Sequence, residues 1–185
     1  LITCIKEGLQ FSNGFNVDIS SEIPIQAGCG SSSALMVGWI HFLSRMADYP
    51  AGLDAIEIGK LAYRAEVLEF NEPGGMMDQY SSAFGNFIYL KPLPKVTVQN
   101  LNPNLGFFVL GDSCETKDTI PILKRCRDMR INIIQKLKKR NPNFDLNNQD
   151  QIDVSFLSKD EQNILNATIN NRDILSKALP ELNKN

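Results

Sequence analysis

Pro24-Ile25-Gln26-Ala27-Gly28-Cys29-Gly30-Ser31-Ser32-Ser33-Ala34 joins two segments with different hydrophobic periods. Upstream, Gly14 to Pro24 alternates apolar with polar residues, a pattern that predicts a strand with one buried face, ended by Pro24. Downstream, Leu35, Trp39, Phe42, Leu43 and Met46 recur at helical spacing. The order is strand, glycine loop, helix. Small residues at such a junction let the backbone approach phosphate oxygens closely. The helix behind them offers unpaired N–H groups and the positive end of its dipole. The hydroxyls of Ser31, Ser32 and Ser33 add donors, and one of them can ligate a Mg²⁺ that bridges phosphates. The loop is neither a Walker A sequence, having no Gly-Lys-Ser/Thr, nor a G-x-G-x-x-G turn. Taken alone, it reads equally well as a serine-capped turn.

A second chemical feature lies further along. Asp54 and Glu57 have capping-box spacing, so a helix is expected from Asp54, with Ile58, Leu61, Ala62, Ala65 and Leu68 as its apolar stripe. Asn71-Glu72-Pro73-Gly74-Gly75 breaks it, and Met77 to Ala83 suits a short helix. Asp78 then sits at the start of that helix, beside glycines that permit a close approach. An isolated aspartate there is an ordinary helix cap. Next to a phosphate loop it is also a candidate to orient or deprotonate an attacking hydroxyl.

The two features together resemble a known superfamily. Residues 24–34 resemble the P-x-x-x-G-L-G-S-S-A-A signature of the GHMP kinases, with Cys29 in place of Leu and Ser33 in place of Ala. Glu66, which follows Ala65, and Pro73-Gly74-Gly75-Met76-Met77-Asp78-Gln79-Tyr80 resemble the galactokinase stretch A-E-…-P-C-G-I-M-D-Q-F, with Gly74 replacing Cys. The resemblance covers roughly residues 14 to 140. It implies ATP held by Pro24, Ala27, Gly28, Cys29, Gly30, Ser31, Ser32 and Ser33. It also implies Mg²⁺ held by Ser32 and Glu66, with Glu69 as a fallback ligand, and Asp78 on the acceptor hydroxyl. Transfer of the γ-phosphoryl group to a sugar is the expected reaction, galactokinase-like because of Met77-Asp78-Gln79. A mevalonate-type acceptor and a non-enzymatic sugar/ATP sensor are the alternatives.

The implied fold is α+β. Residues 1–104 would be a partial catalytic domain with a ribosomal-protein-like βαβ core, and 105–185 the start of a ferredoxin-like domain. The family's N-terminal sugar signature and third glycine motif do not occur in these residues, so the chain reads as a piece of a longer kinase and as a poor enzyme on its own. Phe87 to Leu90 and Val96 to Val98 predict two strands joined through Pro92 and Pro94. Gly106 to Asp112 predicts a buried strand. A long basic helix is expected from about Thr119, with Ile122, Cys126, Met129, Ile133 and Leu137 on one face, and a shorter helical stretch from Ser158. Thr116 and Lys117, in the turn between, are further contact candidates.

Composition narrows the partners. With 43% hydrophobic and 22% charged residues among 185, the chain is of ordinary globular make-up. A net charge of −2 argues against general nucleic-acid binding. No apolar run reaches membrane-spanning length, and the start has no secretion-signal pattern. Cys4, Cys29, Cys114 and Cys126 form no C-x-x-C pair and His41 is the single histidine, so a zinc site is not expected. Reduced thiols in a cytoplasmic protein are the plain reading.

Overall fold

The computed structural model describes residues 1–111, 119–147 and 153–183. The chain divides into two compact units, Leu1–Asp118 and Thr119–Asn185. The first contains helices α1 (Ile2–Lys6), α2 (Ser31–Met46), α3 (Ala55–Tyr63) and α4 (Met77–Phe84), with a π-turn, Arg64–Leu68, continuing α3. Strands β1 (Phe87–Lys91) and β2 (Thr97–Leu101) follow as an antiparallel hairpin in which Tyr89 lies opposite Gln99. The second unit holds α5 (Thr119–Arg140) and α6 (Lys159–Leu182).

The core of the first unit forms where α2 and α3 meet, from Val37, Ile40 and Leu43 on one side and Ile58, Leu61 and Ala62 on the other. This corrects the stripe expected for α2. Leu35 and Met46 are exposed, while Trp39 and Phe42 stack at 5.4 Å on a second apolar side and meet Phe15 edge-on. The α3 cap forms as expected: Asp54 Oδ1 accepts from the Glu57 N–H at 2.8 Å, and Glu57 Oε2 accepts from the Asp54 N–H at 2.9 Å.

The lower end of the α3 stripe also shifts. At Arg64–Leu68 the helix widens, and the Glu69 N–H reaches back five residues to the Arg64 carbonyl at 2.9 Å. One extra residue in a turn rotates everything beyond it. Val67 therefore enters the core and Leu68, expected there, is 57% exposed.

Helix α4 packs on α3 through Gly59 and Tyr80. A Cβ on Gly59 would lie 2.9 Å from Tyr80 Cδ1 and 3.1 Å from its Cγ, and the ring is buried. Burial also pushes the Tyr80 phenol up from its usual pKa. Gly59→Ala is expected to destabilise the protein by about 1–2 kcal/mol, overpacking outweighing the gain in helix propensity. A lower urea midpoint at unchanged m-value is the readout.

Two expected strands are not formed. Gly14–Pro24 is irregular and largely exposed, so the strand of the implied βαβ core is missing among the described residues. Its sidedness is nevertheless real: Val17, Ile19 and Ile23 face Leu35, Trp39 and Phe42 across a groove of about 310 Å³. Residues 106–111 are likewise neither strand nor buried, with Phe107 and Val109 fully exposed; Asp112 lies outside the described residues. In both cases the pattern suits a pleated segment, but no neighbouring described strand supplies the ladder that a strand requires. Residues 105–111 cluster with the first unit.

The second unit is an α-helical pair among its described residues, built on Ile133, Leu137, Phe144, Leu157 and Leu165. Of the face expected on α5, only Ile133 and Leu137 are buried; Ile122 and Met129 are each 40% exposed. Ser158 caps α6 in a capping box with Glu161, and α6, expected to be the shorter helix, has 24 residues against 22 in α5. Lys136 Nζ donates to Glu161 at 2.6 Å and, with the Ser158 N–H, holds that carboxyl below its usual range.

Candidate active site

The loop before α2 is shaped by residues in the left-handed region. Gln26, Gly28 and Gly30 have φ of 60°, 77° and 67°. A side chain at Gly28 or Gly30 would be strained there, which is why glycines alternate at these positions. Pro24, Ala27 and Gly28 are exposed; Cys29 and Gly30 are half-buried. Gly30 is the N-cap of α2, and no side chain caps the helix. The Ala34 N–H makes the first turn bond, to the Gly30 carbonyl at 2.9 Å. The N–H groups of Ser31, Ser32 and Ser33 therefore have no carbonyl one turn back within the helix. An uncapped, eligible anion site remains at this end of α2.

The π-turn delivers Glu66 to the same place. Its two carboxylate oxygens accept from two successive serines: Oε1 from Ser32 Oγ and Oε2 from Ser33 Oγ at 2.7 Å. Helix α4 adds Gln79, whose Nε2 donates to Glu66 Oε2 at 2.6 Å and to Ser33 Oγ at 3.1 Å. Ser33 and Gln79 are 4% and 3% exposed, whereas Ser32 is open to solvent. Three elements distant in sequence thus converge on one carboxylate.

The structure brings together the sequence-predicted Ser32, Ser33 and Glu66. Glu69, the fallback ligand, is elsewhere: it pairs with Lys6 at 3.2 Å and with Arg64 at 3.5 Å, while Arg64 also pairs with Glu7. Asp78 is not the helix cap. Met76 holds that position and Asp78 lies in the first turn of α4, exposed, its carboxylate without a hydrogen-bond partner among the described residues. Its backbone carbonyl accepts from Ser81 Oγ at 3.1 Å. In the sequence Gln79 stands only as part of the Met77-Asp78-Gln79 motif; its neighbour Asp78 carries the obvious chemistry, and nothing local says that the glutamine turns inward. Thr116 and Lys117 lie outside the described residues.

The donor set is made of hard oxygens, a carboxylate and a hydroxyl, which suits Mg²⁺ rather than zinc. Among the described residues no group of three or more His, Cys, Asp or Glu could form an all-protein metal cage. One carboxylate plus phosphate oxygens is the usual way Mg²⁺ is held, so Ser32 and Glu66 fit that ion in company with a nucleotide. No described helix is long and apolar enough to cross a membrane.

Residues 1–86 match the family model for the GHMP kinases N terminal domain. A mevalonate kinase from Thermococcus gammatolerans is 34% identical over 139 residues, covering 71% of this chain and 39% of that protein. A D-glycero-alpha-D-manno-heptose 7-phosphate kinase from Campylobacter jejuni is 36% identical over 87 residues, covering 47% of the chain and 25% of that kinase. A galactokinase from Thermotoga petrophila is 36% identical over 69 residues, covering 37% and 19%. The chain spans about two fifths or less of the length of these relatives. No solved structure matches it.

Proposed function

The chain belongs to the GHMP kinase superfamily through residues 1–86, and on that premise we propose that its parent protein transfers the γ-phosphoryl group of ATP to a hydroxyl of a small molecule. The observation that carries this reading is the convergence of Ser32, Ser33 and Gln79 on the Glu66 carboxylate, directly beside the uncapped N-terminus of α2. In this reading the N–H groups of Ser31 to Ser33 and the dipole of α2 bind the nucleotide phosphates. Ser32 and Glu66 hold Mg²⁺, which supplies neutralisation of phosphate charge when bound. Ser32 is the metal-side serine because it is exposed. The Ser33 hydroxyl already donates to Glu66 and accepts from Gln79. Asp78, exposed on the first turn of α4, engages the acceptor hydroxyl and orients it or takes its proton.

The acceptor is a separate question. Met77-Asp78-Gln79 favours a sugar, as do the matches to a heptose 7-phosphate kinase and a galactokinase. The longer matches are to mevalonate kinases, from Thermococcus gammatolerans over 139 residues and Pyrococcus abyssi over 129. They move the acceptor reading from a sugar towards mevalonate. The reading also carries a ferredoxin-like second domain, of which the α5–α6 unit would be one part, and a cytoplasmic location, which suits the free thiols of Cys4, Cys29 and Cys126.

The test is ADP release by the intact protein with ATP, Mg²⁺ and a panel of mevalonate, galactose and heptose 7-phosphate. Magnesium-dependent release that is largest with mevalonate is expected. Release with a sugar alone would return the acceptor to the sugar branch, and no release with any small alcohol would overturn the kinase reading.

A further inference from the structure

Gln79 has a position that packing alone does not explain. It lies on α4 immediately after Asp78 and is 3% exposed. Its amide could present either end to Glu66. An oxygen placed 2.6 Å from Glu66 Oε2 would set two acceptors against each other, so the carboxylate fixes the amide with Nε2 inward. The same Nε2 bonds Ser33 Oγ, and Gln79 Oε1 is buried with no partner among the described residues.

The consequences follow from which oxygen is engaged. Glu66 Oε2 takes two donors, Ser33 and Gln79, both buried. Among the described residues, Oε1 takes only the hydroxyl of the exposed Ser32. Two donors on Oε2 hold the carboxylate in this orientation, with Oε1 on its exposed side, beside Ser32.

We infer that Gln79 is a positioning residue: it locks Glu66 so that Oε1 faces the nucleotide-bound cation, and it ties that lock to the turn of α4 that carries Asp78. This rests on the kinase reading and deepens it. It makes the metal side and the acceptor side of the site a single mechanical unit, because adjacent residues of α4 serve the two. Partners that orient a ligating carboxylate typically change metal affinity by 10–100-fold when removed.

The test measures Mn²⁺ binding to the intact protein, in the presence of a non-hydrolysable ATP analogue, from the loss of the free Mn²⁺ resonance. Analogue affinity without metal is measured alongside. Gln79→Met, close to glutamine in shape and unable to donate, is expected to weaken Mn²⁺ by about tenfold or more while metal-free analogue affinity stays unchanged. In a Glu66→Gln background the same substitution is expected to cause no further loss. Gln79→Asn, one methylene too short to reach, gives the same split and serves if the methionine variant does not fold. Mn²⁺ affinity within twofold of wild type would overturn the inference. So would parallel loss of metal-free analogue binding, or full additivity with Glu66→Gln. If the unsubstituted protein binds neither analogue nor Mn²⁺, the kinase reading itself fails and this one with it.

Discussion

Asp78→Ala is expected to reduce kcat of the intact protein by about 10²–10⁴-fold, the usual contribution of a positioned acid–base group, which is about 3–5 kcal/mol of barrier. The rest of the molecule should hardly register the change. Asp78 is exposed, it is not the cap of α4, and its carboxylate holds no described hydrogen-bond partner. Stability is therefore expected to stay within about 0.5 kcal/mol of wild type. Nucleotide affinity should also be kept, since the groups proposed to hold the phosphates and the metal are Ser31, Ser32, Ser33 and Glu66. Single-turnover phosphoryl transfer together with nucleotide titration separates these quantities. Full turnover in Asp78→Ala would remove Asp78 from the mechanism.

Glu66→Ala is expected to fail in two ways at once. Turnover should fall by on the order of 10²–10³-fold, because several kcal/mol of charge stabilisation depends on a correctly held metal. Stability should fall as well. The buried Ser33 hydroxyl and Gln79 amide would lose their shared acceptor, and a buried donor left unpaired costs about 1–3 kcal/mol. Glu66→Gln separates the two effects. It keeps the shape and one acceptor oxygen, so most of the stability should return while turnover does not. Denaturant melts and magnesium-dependent rates on both variants test this, and wild-type turnover in Glu66→Gln would contradict the assignment.

Local signals in the sequence were reliable where the physics is local. The Asp54–Glu57 box, the helix after Gly30, the break at Asn71–Gly75 and the β1–β2 hairpin each depend on a few adjacent residues, and each is found. The strands expected over Gly14–Pro24 and Gly106–Asp112 depend on a ladder partner elsewhere, and alternation cannot report whether one is present. The π-turn was invisible for a different reason. A helical stripe assumes 3.6 residues per turn, so it pointed to Leu68, whereas the widened turn buries Val67 and aims Glu66 at the serines. Glu66 itself is marked by its place after Ala65 in the stretch that resembles galactokinases. Gln79 was missed because its role lies in a contact with Ser33, far away in sequence.

In the proposed mechanism the α2 N-terminus and Glu66 together hold a metal–nucleotide complex. The most direct test of this is calorimetric titration of the intact protein with a non-hydrolysable ATP analogue, with and without Mg²⁺, for the wild type and Glu66→Gln. The expected result is saturable one-to-one binding that Mg²⁺ tightens in the wild type but not in Glu66→Gln. Absence of saturable binding, or equal tightening by Mg²⁺ in both proteins, would contradict it.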